Sequence, residues 1–388
     1  MKNRSLLMIP GPIEFEPAVL AALGAPTTSH LAPNFIEAFG QALEQMRQVF
    51  LSSTGQPFVM AGSGTLGMDS AAANLVEAGD EVLVVNTGYF GDRMGDILDR
   101  YGARVTHLRA EPGDQPDLDL VEKTLSEGSY KVMFVTQVDT STGVLAAVKE
   151  LAALAGRAGA LVVVDGVCSV AGEELRMDDW GVDLAFTASQ KAIGVPPGLA
   201  LLVAGERAMA AFRTRRTPVA NYYADWNNWL PVMQAYEARK TAYFGTPAVN
   251  LIFALNVSLG QILQEGMDAR FARHASLGNA CKAAIAALGL GQVPVRGEVA
   301  AHTMSAPRFP KGVNGPDFLA KVTQMGVVLA GGLHPQIRGE YFRIGHMGSV
   351  KLSDILGTIG AIELAMAKCG CGDPKGAGVA AILQSMAG

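Results

Sequence analysis

Short apolar runs alternate with helical patterns along most of this chain, and that alternation limits the folds it can adopt. The plainest run covers residues 161–164, where one leucine is followed by three valines. Similar runs cover residues 82–85 and 199–203. A strand that is apolar at every residue is typical of a parallel sheet covered by helices on both faces. The sequence therefore predicts an α/β fold with a mainly parallel sheet.

The same patterns place the individual elements. Strands are predicted at residues 57–61, 82–85, 104–108, 131–138, 161–164, 183–187 and 199–203, and helices at 34–50, 65–76, 91–101, 118–125 and 148–158. The residues before 34 contain several prolines and are predicted to be irregular.

The pattern of predicted helices and strands changes near residue 266. Longer helical patterns follow, with short strands expected near 301–306, 327–329 and 341–344. A chain of 388 residues is long enough for about two domains. We therefore predict an N-terminal extended segment (1–14), a large domain (15–265) and a smaller C-terminal α+β domain (266–388).

Composition excludes several classes of partner. The formal net charge of −5 gives no attraction to nucleic acid or to an anionic membrane. No apolar run reaches the roughly 20 residues that a membrane span needs. The four cysteines form neither a disulfide framework nor a metal-binding pattern, so we expect a reducing, cytoplasmic location and no metal. Charged residues make up only 17%, which favours an oligomer that hides surface.

Residues 62–67, Gly-Ser-Gly-Thr-Leu-Gly, follow the first predicted strand and open a helix. Free N–H groups at a helix N-terminus favour a phosphate. The segment also matches G-x-G-x-x-G, but a dinucleotide site needs an acid at the end of the next strand, and Asn86 stands there. A single phosphate is therefore favoured over a nicotinamide dinucleotide, and a purely structural turn remains the alternative.

Two further groups follow predicted strands, where parallel sheets bind ligands. Asp165 ends the run 161–164, where a carboxylate needs a cation or hydrogen-bond donors unless it caps a helix. Lys191 lies among small residues ahead of Pro196-Pro197-Gly198. Desolvation of a lysine suits Schiff-base chemistry, although most lysines are solvated surface groups. A phosphate loop, a confined lysine and a carboxylate together are what pyridoxal 5′-phosphate requires.

With these residues in place, the chain resembles the class V (fold type I) pyridoxal-phosphate-dependent aminotransferases, and within them the alanine–glyoxylate aminotransferases of the fungal type. The resemblance covers about residues 7–364. Its motifs are Pro10-Gly11-Pro12, Gly62-Ser63-Gly64-Thr65, Asp139-Thr140-Ser141-Thr142-Gly143, Val164-Asp165, Ser189-Gln190-Lys191-Ala192, Tyr243-Phe244-Gly245-Thr246-Pro247 and Arg343-Ile344-Gly345-His346-Met347-Gly348.

The resemblance implies a role for each matching residue. Lys191 is the catalytic lysine that binds the cofactor covalently and moves a proton, and Asp165 pairs with the ring nitrogen. The remaining cofactor contacts are Ser63, Gly64, Thr65 and Gln190 at the phosphate, Phe90 and Val167 on the two ring faces, and Thr140 near the ring hydroxyl. Arg343 binds the substrate carboxylate, with an ion pair inside the fold as its alternative, and Gly11 keeps the pocket small.

The resemblance also implies a homodimer, in which Tyr243 and Thr246 reach the cofactor of the neighbouring subunit. The alternative for Tyr243 is a buried tyrosine that is satisfied within its own chain. The implied reaction transfers the amino group of a small amino acid, alanine or serine, to glyoxylate. Because the motifs place one arginine for a carboxylate, small monocarboxylic substrates are favoured.

Four rival functions remain. Pyridoxamine–pyruvate aminotransferases have a segment similar to residues 343–348 but use free pyridoxamine, and the full set of phosphate residues favours a bound phosphate ester instead. Other class V enzymes are possible; a cysteine desulfurase is disfavoured because no cysteine lies between Cys281 and Cys369. A nicotinamide-dependent dehydrogenase and a catalytically inactive cofactor-binding regulator are less favoured.

Overall fold

A computed structural model describes residues 5–387 of the chain. The strands are β1 (Leu6–Leu7), β2 (Gln56–Ala61), β3 (Glu81–Asn86), β4 (Arg104–Arg109), β5 (Val132–Thr136), β6 (Val138–Asp139), β7 (Val144–Leu145), β8 (Leu161–Asp165), β9 (Leu184–Ala188), β10 (Leu199–Ala204), β11 (Met304–Ser305), β12 (Val327–Val328), β13 (Ala330–Gly331) and β14 (Phe342–Gly345).

Helices account for most of the remaining chain. They are α1 (Pro17–Leu23), α2 (Pro33–Val49), α3 (Gly64–Leu75), α4 (Tyr89–Arg100), α5 (Leu118–Glu127), α6 (Val148–Arg157), α7 (Met177–Trp180), α8 (Glu206–Arg213), α9 (Trp226–Glu237), α10 (Val249–Glu265), α11 (Met267–Ala287), α12 (Gly315–Gln324), α13 (Leu352–Lys368) and α14 (Ala377–Ala387). None of the helices within residues 5–387 combines the length and apolarity needed to cross a bilayer.

A seven-stranded sheet organises the fold, in the order β2-β10-β9-β8-β5-β3-β4. Strand β10 runs antiparallel to both of its neighbours, and every other neighbouring pair is parallel. Strands β5, β8, β9 and β10 are buried at every residue, so both faces of the sheet are covered. The prediction of a mainly parallel α/β sheet is confirmed.

The start of the chain differs from the prediction. The proline-rich residues before 34 were expected to be irregular, but they include helix α1. Both α1 and α2 begin with a proline, Pro17 and Pro33. Proline is well suited to the first helical position, because it needs no hydrogen-bonded N–H there and its φ is already helical. These two prolines mark helix starts rather than breaks.

The apolar side chains form two clusters, one around the large sheet and one among α11, α12, α13 and α14. A small antiparallel sheet, β11-β14-β13, lies with the second cluster. Gly266 separates α10 from α11 with a φ of 84°, in the left-handed region. This break supports our proposed domain boundary after residue 265, although Phe271 packs in the first cluster.

The N-terminal segment runs along the second cluster toward the large sheet. Strand β1 pairs in parallel with β12, and the carbonyl of Met8 accepts a 2.8 Å hydrogen bond from the N–H of Gly345. Further along, the N–H of Ile13 donates to the carbonyl of Gln190 at 3.2 Å. The segment therefore bridges the two clusters.

Candidate active site

A cavity of about 210 Å³ lies where β2, β5, β8 and β9 end. These strands share one direction, so their carboxyl ends meet at one edge of the sheet. Every predicted site residue except Tyr243, Thr246 and Arg343 lines it: Gly11, Ser63, Gly64, Thr65, Phe90, Thr140, Asp165, Val167, Gln190 and Lys191. Three larger cavities, two of about 550 Å³ and one of about 370 Å³, are lined by neither Asp165 nor Lys191. The smaller cavity therefore brings together the groups with distinctive chemistry.

Lys191 follows β9 and is only 8% exposed, so it is not a solvated surface lysine. Its Nζ donates a hydrogen bond to the carbonyl of Pro10. Burial lowers the pKa of Lys191, and the nearby cation of Arg343 lowers it further. A lysine in this environment releases its proton more easily than one in water, which a nucleophilic or basic amine requires.

Gly11 packs directly against Lys191. A Cβ atom at Gly11 would lie 2.6 Å from Cδ of Lys191, and the backbone φ of 122° also favours glycine. Any side chain at this position would displace the lysine. The resemblance implies that Gly11 keeps the pocket small, and the structure places it beside the amine of Lys191.

Asp165 is the last residue of β8, and its Oδ1 accepts a 2.9 Å hydrogen bond from the N–H of Val167. Burial raises the pKa of Asp165 to about 7, and the neighbouring Asp139 adds to this rise. A helix does not follow directly, since α7 begins only at Met177. The alternative that Asp165 caps a helix is therefore wrong. A buried carboxyl of this kind suits a partner that carries a proton, such as a pyridine nitrogen.

The phosphate-loop residues stand at the start of α3. Ser63 is its N-cap residue but makes no side-chain capping bond in the described structure, which leaves its hydroxyl available. A Cβ atom on Gly64 would lie 2.7 Å from Cγ2 of Val167, so the backbone of Gly64 lies close to the side chain of Val167. Gln190 has a buried Oε1 without a hydrogen-bond partner. Because amide oxygen and nitrogen are interchangeable by rotation, Gln190 can present donors instead.

Asp139 fixes the segment that carries Phe90. Its carboxylate accepts hydrogen bonds from the N–H of Ser141 at 2.9 Å and from the N–H of Phe90 at 3.0 Å. The hydroxyl of Ser141 accepts in turn from the N–H of Tyr89 at 3.0 Å. Burial raises the pKa of Asp139, while these donors lower it. The motif 139–143 therefore anchors the start of α4, a function that the sequence did not reveal.

Arg343 lies in β14, next to the cavity rather than in its wall. Its Nε donates to the carbonyl of Gly331 at 2.8 Å and its Nη1 to the carbonyl of Thr140 at 3.1 Å. Among residues 5–387, no carboxylate forms an ion pair with Arg343, so its alternative as an internal ion pair is wrong. Burial lowers its pKa. A partly desolvated guanidinium without an acid is suited to a substrate carboxylate.

Tyr243 and Thr246 lie outside the cavity of their own chain. Tyr243 is 65% exposed, and its hydroxyl lies 3.4 Å from Oγ1 of Thr246. The alternative of a buried, locally satisfied Tyr243 is therefore wrong. The predicted contact with a neighbouring subunit stays a prediction.

Sequence reasoning missed one charged residue of the cavity, Arg93. It is placed on α4 one turn after Phe90, and its guanidinium carbon lies 4.8 Å from the centre of the Phe90 ring. Its Nη1 donates to Oγ1 of Thr65 at 3.0 Å. The spacing of three residues on a helix was the available signal, because such residues share a face.

The residues of this cavity fit pyridoxal 5′-phosphate. The start of α3 and the side chain of Gln190, whose Oε1 is buried without a partner, line the same cavity. Asp165 and Lys191 supply a carboxyl with a raised pKa and an amine with a lowered one. These are the partners that the phosphate, the ring nitrogen and the aldehyde of that cofactor need.

Comparisons with known proteins agree with this geometry. The sequence model of the family described as "Aminotransferase class-V" matches residues 19–353. Alanine–glyoxylate aminotransferase 1 of Saccharomyces cerevisiae is 41% identical over 361 residues, covering 89% of this chain and 93% of the relative.

Solved structures extend the similarity. The ureidoglycine–glyoxylate aminotransferase of Bacillus subtilis superimposes with a TM-score of 0.92 at 26% identity, covering 100% of this chain and 99% of the other. The pyridoxamine–pyruvate aminotransferase of Mesorhizobium loti gives 0.90 at 27% identity, covering 99% and 97%. The resemblance inferred from the sequence is confirmed. This chain belongs to the class V aminotransferases and is a pyridoxal-phosphate-dependent enzyme of fold type I.

Proposed function

We propose that this enzyme transfers the amino group of a small amino acid, alanine or serine, to glyoxylate; with alanine the products are pyruvate and glycine. The observation that carries the proposal is the joint placement of three groups. A buried Lys191 and a buried Asp165 line one cavity, and the guanidinium of Arg343 beside it lacks an acidic partner among the described residues. The similarity to a yeast alanine–glyoxylate aminotransferase supports the choice of substrates.

Each group has a defined task in this reaction. When bound, pyridoxal 5′-phosphate supplies an electron-accepting ring that stabilises negative charge at the substrate Cα. The Nζ of Lys191, with its lowered pKa, takes the proton from that Cα. Asp165 holds a proton on the ring nitrogen, and Arg343 orients the substrate carboxylate. Gly11 lets the backbone approach Lys191 closely, and this close approach would keep the pocket small.

The other cofactor contacts are proposed on the same basis. Within the cavity, the phosphate would be held at the start of α3 and by Gln190, and the ring would lie between Phe90 and Val167, with Thr140 near its hydroxyl. Their shared position in the cavity wall supports these assignments.

We further propose a homodimer in which Tyr243 and Thr246 serve the neighbouring subunit. The exposure of Tyr243, and of Tyr222, whose ring contacts that of Phe244 next to Tyr243, supports a covering partner. We also propose a cytoplasmic location, because all four cysteines are free thiols.

A second candidate is the transfer of an amino group between free pyridoxamine and pyruvate. The Mesorhizobium loti structure favours it, since its fold matches over nearly the whole chain. Free pyridoxamine carries no phosphate, so this reaction would leave the donors at the start of α3 without their ligand.

One absorbance experiment separates these functions. The holoenzyme is mixed with single amino acids, and the visible band of the bound cofactor is followed. We expect alanine or serine to bleach the band and glyoxylate to restore it. Bleaching by no small amino acid would reject the proposed function, and turnover of free pyridoxamine with pyruvate would establish the second candidate.

A further inference from the structure

Within the described part of the chain, Arg93 is the one charged side chain of the cavity wall besides Asp165 and Lys191, and neither the sequence motifs nor the reaction above uses it. It is half-buried, and no carboxylate among residues 5–387 forms an ion pair with it. By contrast, Arg109, the last residue of β4, is paired with Asp92, the neighbour of Arg93 on α4. An unpaired cation in a binding cavity requires an explanation.

Contacts with aromatic rings hold Arg93 in place. Its guanidinium lies over two aromatic rings, 4.8 Å from the centre of Phe90 and 5.1 Å from that of Tyr89. A cation over an aromatic face is held by the charge distribution of the ring. The start of α4, which carries both rings, is itself anchored by Asp139. Arg93 therefore lies in the wall of the cavity, over rings whose helix start Asp139 holds in place.

The hydrogen bond that Arg93 donates indicates which group of the cofactor it would contact. Its Nη1 donates to Oγ1 of Thr65, one of the residues at the start of α3 that we assign to the phosphate. The other groups there, Ser63, Gly64, Thr65 and Gln190, are all neutral. A helix N-terminus offers only about half a positive charge. A phosphate ester carries close to two negative charges, so these neutral groups leave most of that charge unbalanced.

We propose that Arg93 binds the phosphate group of the cofactor and thereby makes the cavity selective for pyridoxal 5′-phosphate over its unphosphorylated forms. The planar guanidinium can give two parallel hydrogen bonds to a phosphate. The stacking on Phe90 keeps this fork in place before the cofactor arrives. The inference rests on the proposed cofactor site and adds to it a residue that determines which form of the vitamin is accepted.

The test compares two ligands that differ only in the phosphate. The full chain, freed of cofactor, is titrated with pyridoxal 5′-phosphate and with pyridoxal, and both dissociation constants are measured by fluorescence. For R93Q we expect the dissociation constant of pyridoxal 5′-phosphate to rise roughly tenfold to a hundredfold, the usual effect of losing a charged hydrogen bond. The dissociation constant of pyridoxal should stay nearly unchanged. R93K keeps the charge but not the fork and should show a smaller, equally selective loss.

Arg100 provides the control, since it lies on the same helix and is exposed. R100Q removes the same charge from α4 and should leave both constants as in the wild type. Circular dichroism checks that each variant is folded; if R93Q does not fold, R93K decides.

Three results would overturn the proposal. A parallel loss for both ligands would mean that Arg93 only supports the Phe90 ring. No loss for either ligand, with an unchanged KM for amino acids, would remove Arg93 from the site. No loss for either ligand but a raised KM for a dicarboxylic amino acid would assign Arg93 to a substrate side chain. If the wild type shows the phosphate selectivity but transfers no amino group, the proposed function fails while this inference stands.

Discussion

Among the single residues, Asp165 has a pKa that links the site to the stability of the fold. Burial raises this pKa to about 7 from an ordinary value of 3.8. Between about pH 4 and about pH 7 the folded chain therefore binds more protons than the unfolded chain. The free energy of unfolding consequently falls as the pH rises through that window.

D165N removes this titration while keeping an oxygen for the N–H of Val167. In the cofactor-free protein, we expect D165N to gain stability relative to the wild type as the pH rises from 5 to 8, by about 1.4 kcal/mol for each pH unit below 7. Urea unfolding at the two pH values measures the difference. Parallel stability profiles for the two proteins would contradict the raised pKa.

Among the elements, α4 is stabilised by a carboxylate that lies outside the helix. Asp139 accepts from the N–H of Phe90 in the first turn, where a helix leaves its N–H groups without internal partners. D139A should lower the free energy of unfolding by about 1–3 kcal/mol, because a buried donor loses its acceptor. It should also weaken the binding of both pyridoxal 5′-phosphate and pyridoxal, since it disturbs the ring contact of Phe90. The loss should be larger for the phosphate form, since Arg93 is held over the same ring.

The matched control for this prediction is D96A, which removes an exposed carboxylate from the same helix. It should change stability by less than about 0.5 kcal/mol. Thermal unfolding and the two titrations together measure the effect. A D139A variant as stable as D96A would show that Asp139 does not anchor α4.

At the scale of the whole molecule, the exposed position of Tyr243 predicts sites shared between two chains. K191A lacks the lysine of its own site, whereas Y243A would damage only the site of its partner. Refolding an equal mixture should restore about a quarter of wild-type activity, because half of the dimers are mixed and each has one intact site. Activity no higher than the sum of the two variants would place Tyr243 at the site of its own chain.

The sequence predicted those parts of the molecule that depend on local pattern. The run ending at Asp165 identified a central strand and its carboxylate, and small residues around Lys191 indicated confinement. The antiparallel direction of β10 was not predicted, because strand direction depends on how the chain returns to the sheet. Arg93 was not predicted either, because an arginine on an amphipathic helix is usually at the surface.

The N-terminal segment has a mechanical consequence. The carbonyl of Met8 accepts a hydrogen bond from the N–H of Gly345, two positions from Arg343. Two residues further on, the carbonyl of Pro10 accepts from the amine of Lys191. Only residues 8–10 therefore connect the strand that carries Arg343 to the contact at Nζ of Lys191. A shift of β14 relative to the large sheet would also move the Pro10 carbonyl, and with it the amine.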